Sequence, residues 1–339
     1  MIRFENDYTR GAHPRILQRL LETNERQTAG YGIDEFCKSA AELIKNACQQ
    51  SNADVHFIAG GTLTNLTIIS SILRPHEAVI APVTGHIAVA ETGAIEATGH
   101  KIITIPTKTG KITAAEVRAT LDKPDNVHSP RPGMIFISQS TELGGVYNKT
   151  ELSAIKEVAD EFNIPLFIDG ARLGYALAAT DCDLTMADIA KLCDIFYIGG
   201  TKVGALFGEA VVIVNDSLKR DFRYLMKQRG ALFAKGRILG LQFEEFFKDG
   251  LYNEVSEYAV KWSQKIKRVL EEVGIALAYP APTNQLFIEF TEAQFTQISA
   301  KYILAPWERR DGIVVARLCT DWSTRVEDVE AFIADLRKL

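Results

Sequence analysis

The chain has 339 residues, of which 47% are apolar and 24% are charged, and its formal net charge is −5. This composition is typical of a globular protein that is long enough for one large domain and one smaller domain. It contains no block of Lys and Arg that could cover a surface and no apolar run long enough to cross a bilayer, so neither nucleic acid nor a membrane is expected as a partner. A small metabolite is the more fitting partner for a chain of this composition.

The amino-terminal stretch MIRFENDYTRGAHP lacks the basic-then-apolar pattern of a signal peptide, which favours a cytoplasmic protein. The five cysteines are scattered, without a Cys-x-x-Cys pair and without a histidine at zinc-ligand spacing. We therefore expect buried thiols and neither disulfides nor a metal site.

Strand-like apolar runs alternate with helical patterns through most of the chain. In chain order the runs are DVHFIA, EAVIAP, HKIITIP, GMIFISQ, IPLFIDG, CDIFYIGG and EAVVIVN. Helices are expected from about 62 to 73, after His86, after Thr113 and over KTELSAIKEVADEFN. This alternation predicts an α/β domain with a mostly parallel sheet covered on both faces, which binds ligands beyond the carboxyl ends of its strands.

The pattern changes from about Phe222 to a long helical stretch, for which Gly274 is a plausible stop. After it come NQLFIEF, DGIVVARLCT and an amphipathic helix, RVEDVEAFIADLRKL. These elements predict a smaller α+β domain. We place an N-terminal arm and the large domain in residues 1–235 and the small C-terminal domain in residues 236–339.

Polar and small residues follow several of the predicted strands. Gly60, Gly61 and Thr62 follow the first run and begin a helix, where backbone N–H groups suit a phosphate. A tight turn with Thr62 as the helix N-cap is the alternative interpretation. His86 follows the second run, and a lone histidine is more often a packed or capping residue than a functional one.

Lys202 closes the run CDIFYI and lies among small residues in GGTKVGA. Partial desolvation lowers the pKa of a lysine, and a neutral amine is a nucleophile. Asp169 and Arg172 follow the run IPLFI, where a simple loop salt bridge would also account for them.

Pyridoxal phosphate uses all of these groups together. It needs a lysine for a Schiff base, a carboxylate that keeps the pyridine nitrogen protonated, and an anion cradle for its phosphate. Lys202 and Asp169 supply the first two, Arg172 can hold a substrate carboxylate, and His86 can stack on the ring. The alternative is a catalytically silent metabolite-binding protein in which Lys202 only forms a salt bridge.

The stretches SNADVHFIAGGTLTN, GHIAVAETGAIEATGHK, LFIDGARLGYAL, GGTKVGA and RLCTDWST resemble the threonine aldolase group within the aromatic amino acid β-eliminating lyase family of pyridoxal-phosphate enzymes. The resemblance runs from FENDYTRGAHP to the terminal helix. It implies the type I fold of these enzymes, with each active site at a dimer interface and often a dimer of dimers.

The resemblance also implies roles for individual residues. Gly61 and Thr62 correspond to phosphate contacts, His86 to the ring-stacking histidine, Asp169 to the partner of the pyridine nitrogen and Lys202 to the Schiff-base lysine. Arg172 and Arg317 resemble the two arginines that grip the substrate carboxylate. The other implied positions are Asn6, Tyr31 and a second active-site histidine at His128, together with Lys227 and Lys235 as phosphate contacts from a partner subunit.

A carboxylate held in the ring plane by Arg172 and Arg317 leaves the Cα–Cβ bond free to be aligned for cleavage. A base that removes the β-hydroxyl proton then yields glycine and an aldehyde. His86, His128 or a water held by one of them could be that base. We therefore expect a lyase acting on L-threonine, allo-threonine or a bulkier β-hydroxy amino acid, and the alternatives are a β-eliminating lyase or an aminotransferase-like enzyme.

Overall fold

The computed structural model describes residues 1–124 and 126–339, and over this range helices surround a large seven-stranded sheet, a small three-stranded sheet and a two-stranded pair. The strands are β1 (Ile2–Arg3), β2 (Asp54–Ile58), β3 (Glu77–Pro82), β4 (Lys101–Ile105), β5 (Arg131–Ser138), β6 (Leu166–Asp169), β7 (Ile195–Gly199), β8 (Glu209–Ile213), β9 (Gln285–Thr291), β10 (Tyr302–Ile303), β11 (Ala305–Arg310) and β12 (Ile313–Cys319). The helices are α1 (Pro14–Glu22), α2 (Glu35–Cys48), α3 (Gly61–Ile72), α4 (His86–Val89), α5 (Ala114–Leu121), α6 (Lys149–Glu161), α7 (Leu173–Leu177), α8 (Met186–Lys191), α9 (Phe222–Gln228), α10 (Arg237–Lys248), α11 (Leu251–Glu272), α12 (Glu292–Ser299) and α13 (Val326–Leu336). None of the helices in the described ranges is long and apolar enough to span a membrane.

The large sheet has seven strands in the order β2-β8-β7-β6-β5-β3-β4. Only β8 runs antiparallel to its neighbours, so the predicted mostly parallel sheet is confirmed. Alternate residues of β5 belong to different apolar clusters, Ile135 and Ile137 to one and Met134 and Phe136 to the other. Both faces are therefore covered, which is why these strands read as continuous apolar runs.

The long helical stretch of the sequence is two helices in the structure. Helix α10 ends at Lys248 and α11 begins at Leu251, with Gly250 between them at a φ of 75°. A side chain rarely tolerates that left-handed conformation, so the glycine permits the break. Gly274 follows α11 with the same φ and ends it as predicted.

The small sheet is antiparallel, in the order β11-β12-β9. The core under it begins at Trp262 of α11, whereas Leu239 of α10 and Val260 of α11 pack in the core of the large sheet. The large-sheet core thus extends past residue 235, where we placed the boundary, and α11 contributes to both cores.

The amino-terminal segment joins the small sheet to the site. Strand β1 pairs in parallel with β10, and the Phe4 carbonyl accepts a 2.7 Å hydrogen bond from the backbone N–H of Cys319. Phe4 itself is buried in the small-sheet core. This anchoring brings the next residues, including Asp7, to the edge of the large sheet.

Candidate active site

Residues that follow the strands of the large sheet meet at its carboxyl edge. Ser138 at the end of β5 lies in register with Asp169 at the end of β6, and Lys202 follows the next strand, β7. A cavity of about 1200 Å³ lies there. The predicted site residues that line it are Gly61, Thr62, His86, Asp169, Arg172, Lys202 and Arg317.

Asp169 is a buried carboxylate with three donors. The Tyr197 hydroxyl donates to Oδ1 at 2.6 Å, the Ala171 backbone N–H donates to Oδ1 at 3.0 Å, and the Asn65 amide donates to Oδ2 at 3.1 Å. These bonds compensate for burial and fix the carboxylate plane. Gly170 permits the close packing of β6 on β7, because a Cβ there would lie 1.8 Å from the Tyr197 carbonyl oxygen.

The His86 ring is connected to Asp169 through two buried side chains. Its Nδ1 lies 2.8 Å from Glu91 Oε1, and the Asn65 amide donates to the same oxygen at 2.7 Å. The two N–H groups of Asn65 therefore bridge Glu91 and Asp169. The hydrogen bond to Glu91 raises the pKa of His86, so the imidazolium form is favoured.

Lys202 lies in a tight turn that a second buried carboxylate holds. Glu209 accepts hydrogen bonds from the Gly200 N–H at 3.0 Å and from the Thr201 hydroxyl at 2.9 Å, and the Tyr175 hydroxyl donates to the Lys202 carbonyl at 2.6 Å. Burial lowers the pKa of Lys202 and the nearby Arg172 lowers it further, while burial raises the pKa of Glu209. The amine is thereby shifted toward its neutral, nucleophilic form.

Arg172 is held by a partner that the sequence analysis did not assign. Its Nε and Nη2 donate to the two oxygens of Asp7 at 2.7 and 2.9 Å, and the Asn284 amide donates to Asp7 Oδ2 at 3.0 Å. Burial raises the pKa of Asp7, but the charges of Arg172 and Lys202 and the hydrogen bonds from Arg172 and Asn284 together outweigh it, so the pKa lies below its ordinary value. The fork expected to face a substrate carboxylate is thus occupied by Asp7, and no hydrogen bond of Nη1 is found in the described part of the chain.

Arg317 lies on β12 and reaches the cavity from the small sheet. Its Nη2 donates to the Glu5 carbonyl at 3.0 Å, and its guanidinium carbon lies 5.3 Å from the centre of the Trp307 ring. Its Nε is buried and has no hydrogen-bond partner among residues 1–124 and 126–339. Arg317 forms no ion pair in that range either, and the Glu5 carbonyl is its hydrogen-bond partner.

Four of the remaining predicted positions do not line this cavity. Asn6 caps the backbone N–H of Tyr8 at 3.0 Å beside the cavity wall. Tyr31, Lys227 and Lys235 lie near one another on the surface: the Lys227 ammonium is 4.4 Å from the Tyr31 ring centre, and the Tyr31 N–H donates to the carbonyl of Ala234.

His128 lies away from the site within this chain. It is exposed in the loop before β5, so it is at the amino end of that strand, whereas the cavity is at the carboxyl end. An eight-residue strand spans roughly 25 Å. Among the described residues that line the cavity, His86 is the only histidine.

Asn65, Glu91, Tyr197 and Glu209 were not predicted from the sequence. A buried polar group requires a partner, and that signal was present for Tyr197 within CDIFYIGG and for Glu209 at the start of EAVVIVN. Asn65 lies on α3 and Glu91 follows α4. Asn65 and Tyr197 contact Asp169 over 104 and 28 positions, and only the fold identifies such partners.

The fold and the site define the class of this protein: it is a pyridoxal-phosphate enzyme of fold type I. A solved structure of a Thermus thermophilus aspartate aminotransferase variant matches 100% of this chain and 91% of its own with a TM-score of 0.73, and at 13% identity it is similar in fold alone. The chain belongs to the beta-eliminating lyase family, whose profile matches residues 12–328.

Relatives within this family match nearly the whole chain. The solved threonine aldolase of Leishmania major is 45% identical, has a TM-score of 0.98, and is matched over 100% of this chain and 99% of its own. The low specificity L-threonine aldolase of Pseudomonas aeruginosa is 28% identical over 98% of this chain and 96% of its own.

The residues present fit pyridoxal 5′-phosphate. The Lys202 amine has no hydrogen bond or ion pair among the described residues, and a Cβ added to Gly60 would meet no atom within 4 Å, which leaves room at the amino end of α3. Gly61 and Thr62 can hold the phosphate there, Asp169 can pair with the pyridine nitrogen, and Lys202 can bind the aldehyde carbon. When bound, the cofactor supplies an electron sink for bonds to the substrate Cα.

Proposed function

We propose that this enzyme cleaves the Cα–Cβ bond of L-threonine, L-allo-threonine or related β-hydroxy-α-amino acids to give glycine and an aldehyde. The observation that carries the proposal is the one cavity that is lined by the Lys202 amine, the Asp169 carboxylate and the guanidinium groups of Arg172 and Arg317. Its relatives from Leishmania major and Pseudomonas aeruginosa, which match nearly its full length, are threonine aldolases. Within the described residues Lys202 forms no salt bridge, whereas the alternative of a catalytically silent binding protein would require one.

The residues have distinct roles in this proposal. Lys202 attaches the cofactor, Asp169 keeps the ring nitrogen protonated, and the His86 ring packs over the ring face. Arg317 and the free Nη1 of Arg172 hold the substrate carboxylate. The hydrogen bonds to Asp7 then serve to orient Arg172, because a forked pair fixes the guanidinium plane.

The proposal is tested by the products. L-threonine and L-allo-threonine are expected to give glycine and acetaldehyde in equal amounts, whereas L-serine and L-cysteine give little pyruvate. Glycine, aldehyde, pyruvate and ammonia are quantified together for a panel of β-hydroxy amino acids. Ammonia released with a 2-oxo acid, which is pyruvate from serine or cysteine and 2-oxobutyrate from threonine, would identify β-elimination, and a 2-oxo acid formed only with an amino acceptor would identify transamination.

The proposed function includes an oligomeric state and a cellular location for the enzyme. We infer a cytoplasmic dimer or a dimer of dimers. In such an assembly Asn6 and the surface of Tyr31, Lys227 and Lys235 contribute to the partner's site, which explains why they do not line the cavity of their own chain. All five cysteines are free, which fits a reducing compartment. Light scattering of the holoenzyme tests the assembly, and recovery of activity on mixing Lys202→Ala with Lys227→Ala subunits tests the sharing of sites.

A further inference from the structure

The turn after β5 carries a carboxyl group that the proposed function has not used. Glu142 lines the cavity in the turn from Gln139 to Tyr147. The Gln139 side-chain amide closes this turn by donating to the Tyr147 carbonyl and accepting from the Tyr147 N–H, both at 3.0 Å. The backbone of Thr141 and Gly145 is bonded across it at 2.8 Å. The position of Glu142 is therefore fixed by the fold.

The two oxygens of Glu142 have different environments. Oε1 accepts from the His86 backbone N–H at 2.9 Å and from the Ser138 hydroxyl at 2.7 Å. Oε2 is buried and has no hydrogen-bond partner in residues 1–124 and 126–339. One oxygen thus orients the group, and the other remains available to form a bond with a proton.

Charge and burial make Glu142 more basic than an ordinary carboxylate. Burial raises its pKa, and the charge of Asp169 raises it further. The His86 ring, which is bonded to Glu91, and the side chains of Lys202 and Lys108 line the same cavity. A carboxylate with a raised pKa is a better proton acceptor than an ordinary one, as a general base requires.

His86 is less suited to that task. Its Nδ1 is engaged by Glu91, and this bond raises its pKa, so the ring holds two protons over a wider pH range. An imidazolium has no lone pair with which to accept a proton. His128 is at the other end of β5. Glu142 is therefore the better-placed proton acceptor.

We propose that Glu142 is the general base that removes the β-hydroxyl proton of the substrate, an assignment that rests on the proposed function. The O–H bond breaks and a bond from the proton to Oε2 forms. The oxygen electron pair becomes the second bond of the aldehyde C=O, the Cα–Cβ bond breaks, and its electron pair stays on the amino-acid fragment. Uptake of one proton at Cα completes glycine, so one proton is removed and one is returned.

The test uses Glu142→Gln in the holoenzyme. The amide oxygen can still accept from His86 and Ser138, but it is not a base. Threonine cleavage is expected to fall at least about 100-fold, in the range typical for loss of a general base. Exchange of the glycine α-proton with deuterium, followed by NMR, does not involve a β-hydroxyl and is expected to stay within about twofold, as is the affinity for glycine.

His86→Asn is the matched variant, because it changes the ring and keeps the backbone N–H that holds Glu142. It is expected to lower cleavage and exchange together. Cleavage by Glu142→Gln within tenfold of the wild type, or a parallel loss of cleavage and exchange, would overturn the assignment. A wild-type enzyme that exchanges the glycine proton but cleaves no β-hydroxy amino acid would overturn the proposed function, and the role of Glu142 with it.

Discussion

The guanidinium groups of Arg172 and Arg317 on the cavity wall differ in their partners. Asp7 occupies the fork of Arg172, whereas Arg317 is bonded only to the Glu5 carbonyl and packs over Trp307. A bound carboxylate that pairs with the Arg317 guanidinium would therefore displace no carboxylate of the protein. At the scale of single residues, we propose Arg317 as the main determinant of amino-acid affinity.

We predict that Arg317→Ala raises the KM for threonine about 10- to 150-fold, which corresponds to about 1.5 to 3 kcal/mol for a charge-assisted hydrogen bond. The cofactor absorbance and the thermal midpoint are expected to change little. Arg309→Ala on the adjacent strand is the control, since Arg309 pairs with Glu292 and does not line the cavity. An unaltered KM in Arg317→Ala would contradict this role.

The residues of the site differ in whether the sequence alone identifies them. Lys202, Asp169 and His86 were predictable because each follows an apolar run that had to be a buried strand. Glu91 and Glu142 were not, because their significance lies in bonds to the ring and the backbone of His86. Both residues lie in turns, and no local sequence pattern marks such bonds.

At the scale of elements, the position of the amino-terminal segment affects the site but is the hardest to predict from sequence. Its pairing with β10 and the bond from Asp7 to Arg172 join residues about 165 to 300 positions apart. Helices α1 and α2 and strand β11 were not predicted either. The strands of the large sheet were predicted because burial on both faces demands continuous apolar runs.

We predict that Asp7→Asn lowers the free energy of unfolding by about 3 to 5 kcal/mol at pH 7, because it leaves Arg172 buried without its counter-charge. The pKa of Asp7 is lowered in the folded state, so its stabilisation is complete above the unfolded value near 4 and is lost as the pH falls through the folded value. The wild type is expected to lose stability more steeply than the variant on acidification below about pH 4.

Urea unfolding at pH 7 and across the acid range measures both effects. Asp249→Asn serves as the control, because Asp249 is exposed and pairs with Arg15 at the surface. If Asp7→Asn were as stable as that control, the contact between Asp7 and Arg172 would not anchor the amino-terminal segment.

At the scale of the whole molecule, the two sheets provide different parts of one site. The large sheet supplies Lys202 and Asp169 at its carboxyl edge, and the small sheet supplies Arg317 and Trp307. The order of these residues along the chain allowed the fold class and the family to be predicted from sequence. How α11 contributes to both cores could not be read from local patterns.

The most direct test of Cα–Cβ cleavage follows one labelled carbon through the reaction. The holoenzyme is incubated in D₂O with L-threonine labelled with ¹³C at Cα, and the products are observed by NMR, with Lys202→Ala as the inactive control. If the enzyme cleaves the Cα–Cβ bond, the label appears in glycine that carries deuterium at Cα, and an equal amount of acetaldehyde is formed. Label found in 2-oxobutyrate, with no glycine formed, would contradict this cleavage.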